Sequence, residues 1–177
     1  MCETSFRKAL DEPVWLVDHD PRWAVTFARE RDRLLGRFGD RIVEIRHFGS
    51  TAVPGLAAKP VIDLIAGVTS MSVAHALVPE LCAFGYAFHD EGNRPFPDRR
   101  WLLRERDGHR THHLHLVVHG GPAWRDRLRF CESLKADAEL RARYGCLKHN
   151  LASRFRLERH RYTEHKEAFV LAALGGP

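Results

Sequence analysis

The sequence predicts an α/β (α+β) protein: a mixed β-sheet of about five strands, helices packed against it, and a helical C-terminal third. Three observations carry this expectation. VIDLIAGV, 61–68, is a continuous aliphatic run of strand length, the pattern of a central strand covered on both faces. YAFHDE (86–91), RRWLLRER (99–106) and THHLHLVVH (111–119) follow one another with only the turns GNRPFPD and DGH between them. Consecutive strands argue for a mixed sheet and against a doubly wound parallel one. Beyond residue 121 the pattern turns helical, over about 122–135, 137–153 and 159–174.

In chain order, the first twelve residues read as a loose lead-in and VWLVDHDPRW, 14–23, as a short extended run ending in a turn. Asp20-Pro21 predicts a helix start, with Asp20 as N-cap and Pro21 as first helical residue. Trp23, Phe27, Leu34, Leu35 and Phe38 then recur at near-helical spacing up to Gly39. RIVEIRHFG, 41–49, alternates like a strand. SMSVAHALVPELCAFG, 70–85, predicts a helix closed by Gly85.

The 177 residues suit one domain over 1–177 with a sizeable core. Hydrophobic residues make up 44% and charged residues 29%, the balance of a soluble globule. A net charge of +5 favours anionic partners, but the arginines are scattered, which ranks a nucleic-acid role last. No internal repeat, P-loop, G-x-G-x-x-G or G-x-S-x-G occurs, and no cysteine pair has metal-ligand spacing. Cys82 and Cys131 fall in helical runs with apolar neighbours and are expected to be buried. The polar opening CETSFRKALDEP and the lack of a long apolar run predict a cytoplasmic protein with reduced thiols and no membrane segment.

The residues that invite chemistry centre on HFGSTAVPGLAAKPVIDLIAGV, 47–68. Gly49 after a strand permits close approach of backbone to a ligand, and Ser50 and Thr51 offer hydroxyls to a phosphate. Asp63 stands inside an aliphatic strand. An ionised carboxylate there needs a partner or a metal, and Mg²⁺ facing nucleotide phosphates is as good a reading as a simple ion pair with Lys59 or an arginine. Lys59 could serve phosphate as a point charge; on its own it reads more simply as a solvated lysine. On THHLHLVVH, His113, His115 and Val117 share one face and Leu114, Leu116 and Val118 the other, with His112 on the aliphatic side. His113 and His115 could chelate a metal with Asp63, hold phosphate or act as a base; a merely polar strand face is the bland alternative. Arg99 beside Trp101 could grip phosphate and a base, although a surface arginine beside a core tryptophan is preferred. Lys148 and Lys166 belong to a basic C-terminal stretch, most of it a solvated face from which one or two side chains could reach the cleft and its phosphates.

HFGSTAVPGLAAKPVIDL, RRWLLRE followed by THHLHLVV, RYTEHKEAFV and DHDPRWAVTFARER together resemble the GrpB family, also called UPF0157, over nearly the whole chain. The resemblance implies the nucleotidyltransferase superfold, and some relatives are joined to dephospho-CoA kinase. In nucleotidyltransferases a Gly-Ser ends one strand and holds the triphosphate, while D-x-D or D-x-E on the next strand binds two metals. Gly49, Ser50 and Asp63 match; Ile65 stands where the second carboxylate belongs, and His113 or His115 falls near the place of the third.

The expectations are therefore three. The first is an NTP-using transferase, with ATP or another NTP as donor, Mg²⁺ on Asp63, a histidine as base or second ligand, and a small-molecule acceptor. The second is a non-catalytic domain that binds a nucleotide or CoA-like ligand. The third is an enzyme of another class with a metal on Asp63, His113 and His115.

Overall fold

The computed structural model describes residue 9 and residues 12–175. Its centre is a five-stranded sheet built from β1 (Ile42–Phe48), β2 (Ile62–Val68), β3 (Ala87–Phe88), β4 (Arg99–Arg106) and β5 (His109–Val118). The strand order is β1-β2-β5-β4-β3. β2 and β5 run parallel and the other pairings are antiparallel. The mixed sheet thus matches the expectation, and β2, flanked by β1 and β5, is the central strand that its aliphatic run implied.

Helices cover both faces. α1 (Arg22–Phe38) and α2 (Met71–Ala83) lie on one side. Their apolar residues join Ile62, Leu64, Leu114 and Leu116 in one core that includes Leu34, Phe38, Leu77 and Leu81. On the other side α4 (Pro122–Ala136), α5 (Ala138–Arg154) and α6 (Arg159–Ala173) form the helical third. There Phe48, Ile65 and Val117 pack with Trp124, Phe130, Leu134 and Tyr144. Alternate residues of β2 and β5 therefore feed two cores, as the strand period of two requires. Asp63, His113 and His115 lie on the face turned toward α4–α6. A smaller cluster of Val14, Leu151, Phe155 and Tyr162 ties the N-terminal run to α5 and α6.

Four local expectations are corrected. α1 begins at Arg22, not Pro21: Pro21 takes the cap position, and the Asp20 carboxylate accepts from the Arg22 backbone N–H at 2.9 Å. The strand expected over 86–91 shrinks to Ala87–Phe88 and gives way to α3, a single turn over Asp90–Asn93. The His89 ring accepts from Gly92 N–H at 3.0 Å and caps that turn. Asn93 then bonds the Trp101 backbone through its side chain, donating at 2.9 Å and accepting at 2.6 Å, in place of strand pairing. Cys131 is buried as expected, but Cys82 is exposed, because α2 buries Ala74, Leu77, Val78 and Leu81 and position 82 falls off that face. β5 also starts two residues early, since Asp107 and Gly108 both adopt positive φ (56° and 80°), which closes a tight two-residue hairpin. Among the described residues no helix is long and apolar enough to cross a membrane.

Candidate anion site around Asp63

β1 ends where Phe48 pairs with Asp63, so the loop after β1 necessarily passes over the Asp63 side chain. Gly49 has φ +72°, and a Cβ there would stand 2.5 Å from Asp63 Oδ2. Only glycine meets both demands, the left-handed backbone and the close approach of a carboxylate. Ser50 opens the 3-10 turn Ser50–Ala52 with a half-buried side chain. Thr51 is buried, and its hydroxyl is spent inside the fold, donating to the Val61 carbonyl at 3.4 Å and lying 3.0 Å from His47 Nε2.

The parallel pairing of β2 with β5 sets Asp63 opposite His113. His113 Nδ1 lies 2.9 Å from Asp63 Oδ1. An ionised carboxylate can only accept, so Nδ1 carries the hydrogen and Nε2 the lone pair, toward which Arg110 Nη1 points from 3.4 Å. Burial works against the charge of Asp63, but the His113 hydrogen bond and the nearby His113, His115 and Lys59 outweigh it and hold its pKa at about 2. Burial pushes His113 down to about 4 despite the carboxylate beside it. The pair at neutral pH is thus a carboxylate and a neutral imidazole.

Three lysines complete the surroundings. Lys59, half-buried, and Lys166 of α6 place their ammonium groups 5.4 and 5.2 Å from the centre of the Tyr162 ring. Neither has an ion-pair partner among the described residues. Lys148 of α5 is 1% exposed, its Nζ donates to the Ala57 carbonyl, and it lies 5.1 Å from the Tyr144 ring. Burial drives the pKa of Lys59 well down and that of Lys148 to about 7, against the pull of Asp63 on each. Burial also opposes the charge on Lys166, yet the two tyrosines and Asp63 raise its pKa. Of the basic C-terminal stretch, Lys148 and Lys166 are thus the side chains turned inward, and Lys59 is half-buried rather than solvated.

Two anticipated residues lie elsewhere. Arg99 pairs with Val117, four residues along β5 from His113, roughly 13 Å at strand spacing. There its guanidinium stacks 3.8 Å from the Phe96 ring, with Nε buried and unpartnered among the described residues. His115 meets Phe48 in a T-shaped contact with ring centres 5.1 Å apart and buries Nδ1 without a partner among the described residues. Among the described residues no three His, Cys, Asp or Glu side chains are arranged to hold a metal ion. Of the expected set Asp63, His113 and His115, the structure brings the first two together, His113 being hydrogen-bonded to the carboxylate itself, while His115 pairs in register with Ile65, two residues further along β2. Mg²⁺ on the two-carboxylate plan does not fit either, because Ile65 is fully buried where the second acid would stand.

Residues that the sequence reading passed over are Arg110, which faces His113, and Arg159. Arg159, Tyr162 and Lys166 recur at helical spacing, which places them on one face of α6. That periodicity was the available signal.

The fold and site together are those of a mixed α/β sheet protein with lysines placed near one ionised, half-buried carboxylate. The GrpB protein family model matches residues 13–175, and the chain belongs to the GrpB family. It is 32% identical over 165 residues to the glutamate-rich protein GrpB of Alkalihalophilus pseudofirmus, covering 89% of this chain and 91% of that one. It is 31% identical over 160 residues to the UPF0157 protein YqkA of Bacillus subtilis, covering 90% of this chain and 46% of that one. The chain thus spans about half the length of YqkA. It is also 34% identical over 172 residues to a dephospho-CoA kinase of Mycolicibacterium paratuberculosis, covering 85% of this chain and 42% of the kinase. The crystal structure of the conserved protein GrpB from Enterococcus faecalis superposes with a TM-score of 0.78 at 27% identity, over 91% of this chain and 98% of that one.

Proposed function

We propose that the chain binds a nucleotide phosphoanhydride, of a nucleoside triphosphate or of a CoA-like molecule, between the Gly49-Ser50 loop and Lys59, Lys148 and Lys166. The observation that carries this reading is the pair of ammonium groups, Lys59 and Lys166, set on one tyrosine ring with no carboxylate partner among the described residues. Like charges gathered in a half-buried place repel one another, and a bound polyanion relieves that cost. Asp63 has a separate part. It keeps the cluster in place when no ligand is bound, and it fixes the tautomer of His113 so that Nε2 can accept a proton. The reading is one of binding: a single carboxylate already held by a histidine, with Ile65 in the second position, supports no two-metal nucleotidyl transfer.

A thermal-shift panel of ATP, GTP, CTP, UTP and CoA, each with Mg²⁺, Mn²⁺ or chelator, tests it, with adenosine as the uncharged control. A ligand at 100 times its Kd stabilises the fold by about 2.7 kcal/mol. The expected result is a shift with one phosphoanhydride that survives chelator, is absent with adenosine, and falls in Lys166→Ala. No shift with any of the five, or an undiminished shift in Lys166→Ala, overturns the reading.

A further inference from the structure

A second place for a ligand lies on the other side of Lys59. A cavity of about 200 Å³ opens at the beginnings of β2 and β5, with Glu12, Trp15, Lys59, Val61, Arg110 and Arg159 in its wall. That is smaller than a cofactor pocket of some 300 Å³ or more, so its occupant is a small molecule. Four permanent or potential cations, Lys59, His109, Arg110 and Arg159, share the wall with one carboxylate. Glu12 is already engaged: His109 Nδ1 stands 3.0 Å away, the Arg110 backbone N–H donates at 3.3 Å, and Arg159 Nη2 lies at 3.5 Å. Arg159 Nε is taken by the Glu12 carbonyl at 3.1 Å. Its Nη1 is buried and has no acceptor among the described residues. Buried guanidinium hydrogens seldom go unmatched, and one that does marks a place where an acceptor belongs. Trp15, 45% exposed, stands at the cavity with Val61, so the wall offers apolar surface beside the charges.

We propose that this cavity binds a small organic carboxylate, its anionic end on Arg159 Nη1 and the Lys59 ammonium and its flat or apolar part against Trp15. A planar carboxylate suits a guanidinium edge. The Glu12 carboxylate in the wall favours a monoanion over a phosphate dianion, because repulsion grows with the charge of the guest. Arg110 lines the cavity and also faces His113 Nε2, so the occupant sits one residue away from the Asp63–His113 pair. The inference rests on the cavity alone and holds whether or not a nucleotide binds.

Isothermal titration of the full chain with benzoate tests it, with benzyl alcohol and inorganic phosphate as the uncharged and dianionic controls. The expected result is one site with a Kd of about 1 mM or tighter for benzoate and weaker binding of both controls. Arg159→Gln should weaken benzoate by about tenfold or more, the loss of a charge-assisted pair. Trp15→Ala should weaken it severalfold, and Lys166→Ala, a residue outside the cavity wall, should not weaken it. Benzoate binding no better than benzyl alcohol, phosphate binding more tightly than benzoate, or equal affinity in wild type and Trp15→Ala each overturn the proposal. Failure of the nucleotide panel alone leaves it intact, since Lys166 contributes to that site and not to this cavity.

Discussion

Replacing Lys148 by methionine should make the protein more stable at acid and neutral pH and not at alkaline pH. Lys148 is 1% exposed and its pKa is brought from 10.5 to about 7 by burial, with Lys166 adding repulsion. The lowered value means that the unfolded chain holds a proton on this lysine more tightly than the folded chain does, so folding is penalised wherever the unfolded lysine is charged. From those two pKa values the penalty is roughly 4–5 kcal/mol at pH 6, about 3 kcal/mol at pH 8 and below about 1 kcal/mol at pH 10. Methionine also removes the bond from Nζ to the Ala57 carbonyl, and that loss costs about 1–3 kcal/mol at every pH. The difference in unfolding free energy between Lys148→Met and wild type should therefore fall by about 4 kcal/mol between pH 6 and pH 10, changing sign on the way. Urea unfolding at these pH values measures it directly. A difference that does not vary with pH refutes the reasoning, because it would mean that the lysine is not held short of its proton. Retention of so costly a side chain is what an anion site would require, and a bound polyanion should raise the Lys148 pKa again.

Other expectations follow from the same geometry. Gly49→Ala should cost more than about 2 kcal/mol, from the positive φ and a Cβ 2.5 Å from Asp63 Oδ2, and part of the loss should return in a Gly49→Ala, Asp63→Ala double variant measured by urea unfolding. The Asp63 pKa of about 2 lies below its ordinary 3.8, so its contribution of roughly 2 kcal/mol is complete above that ordinary value and disappears as pH falls through 2. Asp63→Asn should therefore flatten the steepest part of the acid unfolding curve. His47, His112 and His113 are all held by burial at about 4, below the ordinary 6.5. With His115, which burial also holds well below its ordinary value, they remain neutral in the fold while the unfolded chain protonates, so stability should decline between pH 6.5 and 4 with an uptake of up to four protons on unfolding, countable from the pH dependence of the urea midpoint.

Much of this architecture is local in origin. The aliphatic run that became β2 needed no partner to declare itself a covered strand, and the alternation in THHLHLVV already separated His113 and His115 from Leu114 and Leu116. The places where the sequence misled are those where a side chain replaced a backbone bond. Asn93 holds β4 with its amide, and His89 caps a turn, so an apparent strand became a helix turn. Neither residue announces that use, because the same side chains serve equally well in a loop.

Period and composition alone determined the sheet, the helical third and the face on which Asp63, His113 and His115 lie. They did so because side-chain direction in a strand repeats every two residues, whatever the rest of the chain does. Only the tertiary structure decided which of those groups meet. Parallel pairing of β2 with β5 set His113 against Asp63 and moved His115 two residues away. Packing of α5 and α6 drew Lys148 and Lys166 inward to the tyrosines, while the register of β4 carried Arg99 to the far end of the sheet. Such meetings depend on chain segments 50 and more residues apart, and no local pattern encodes the distance between them.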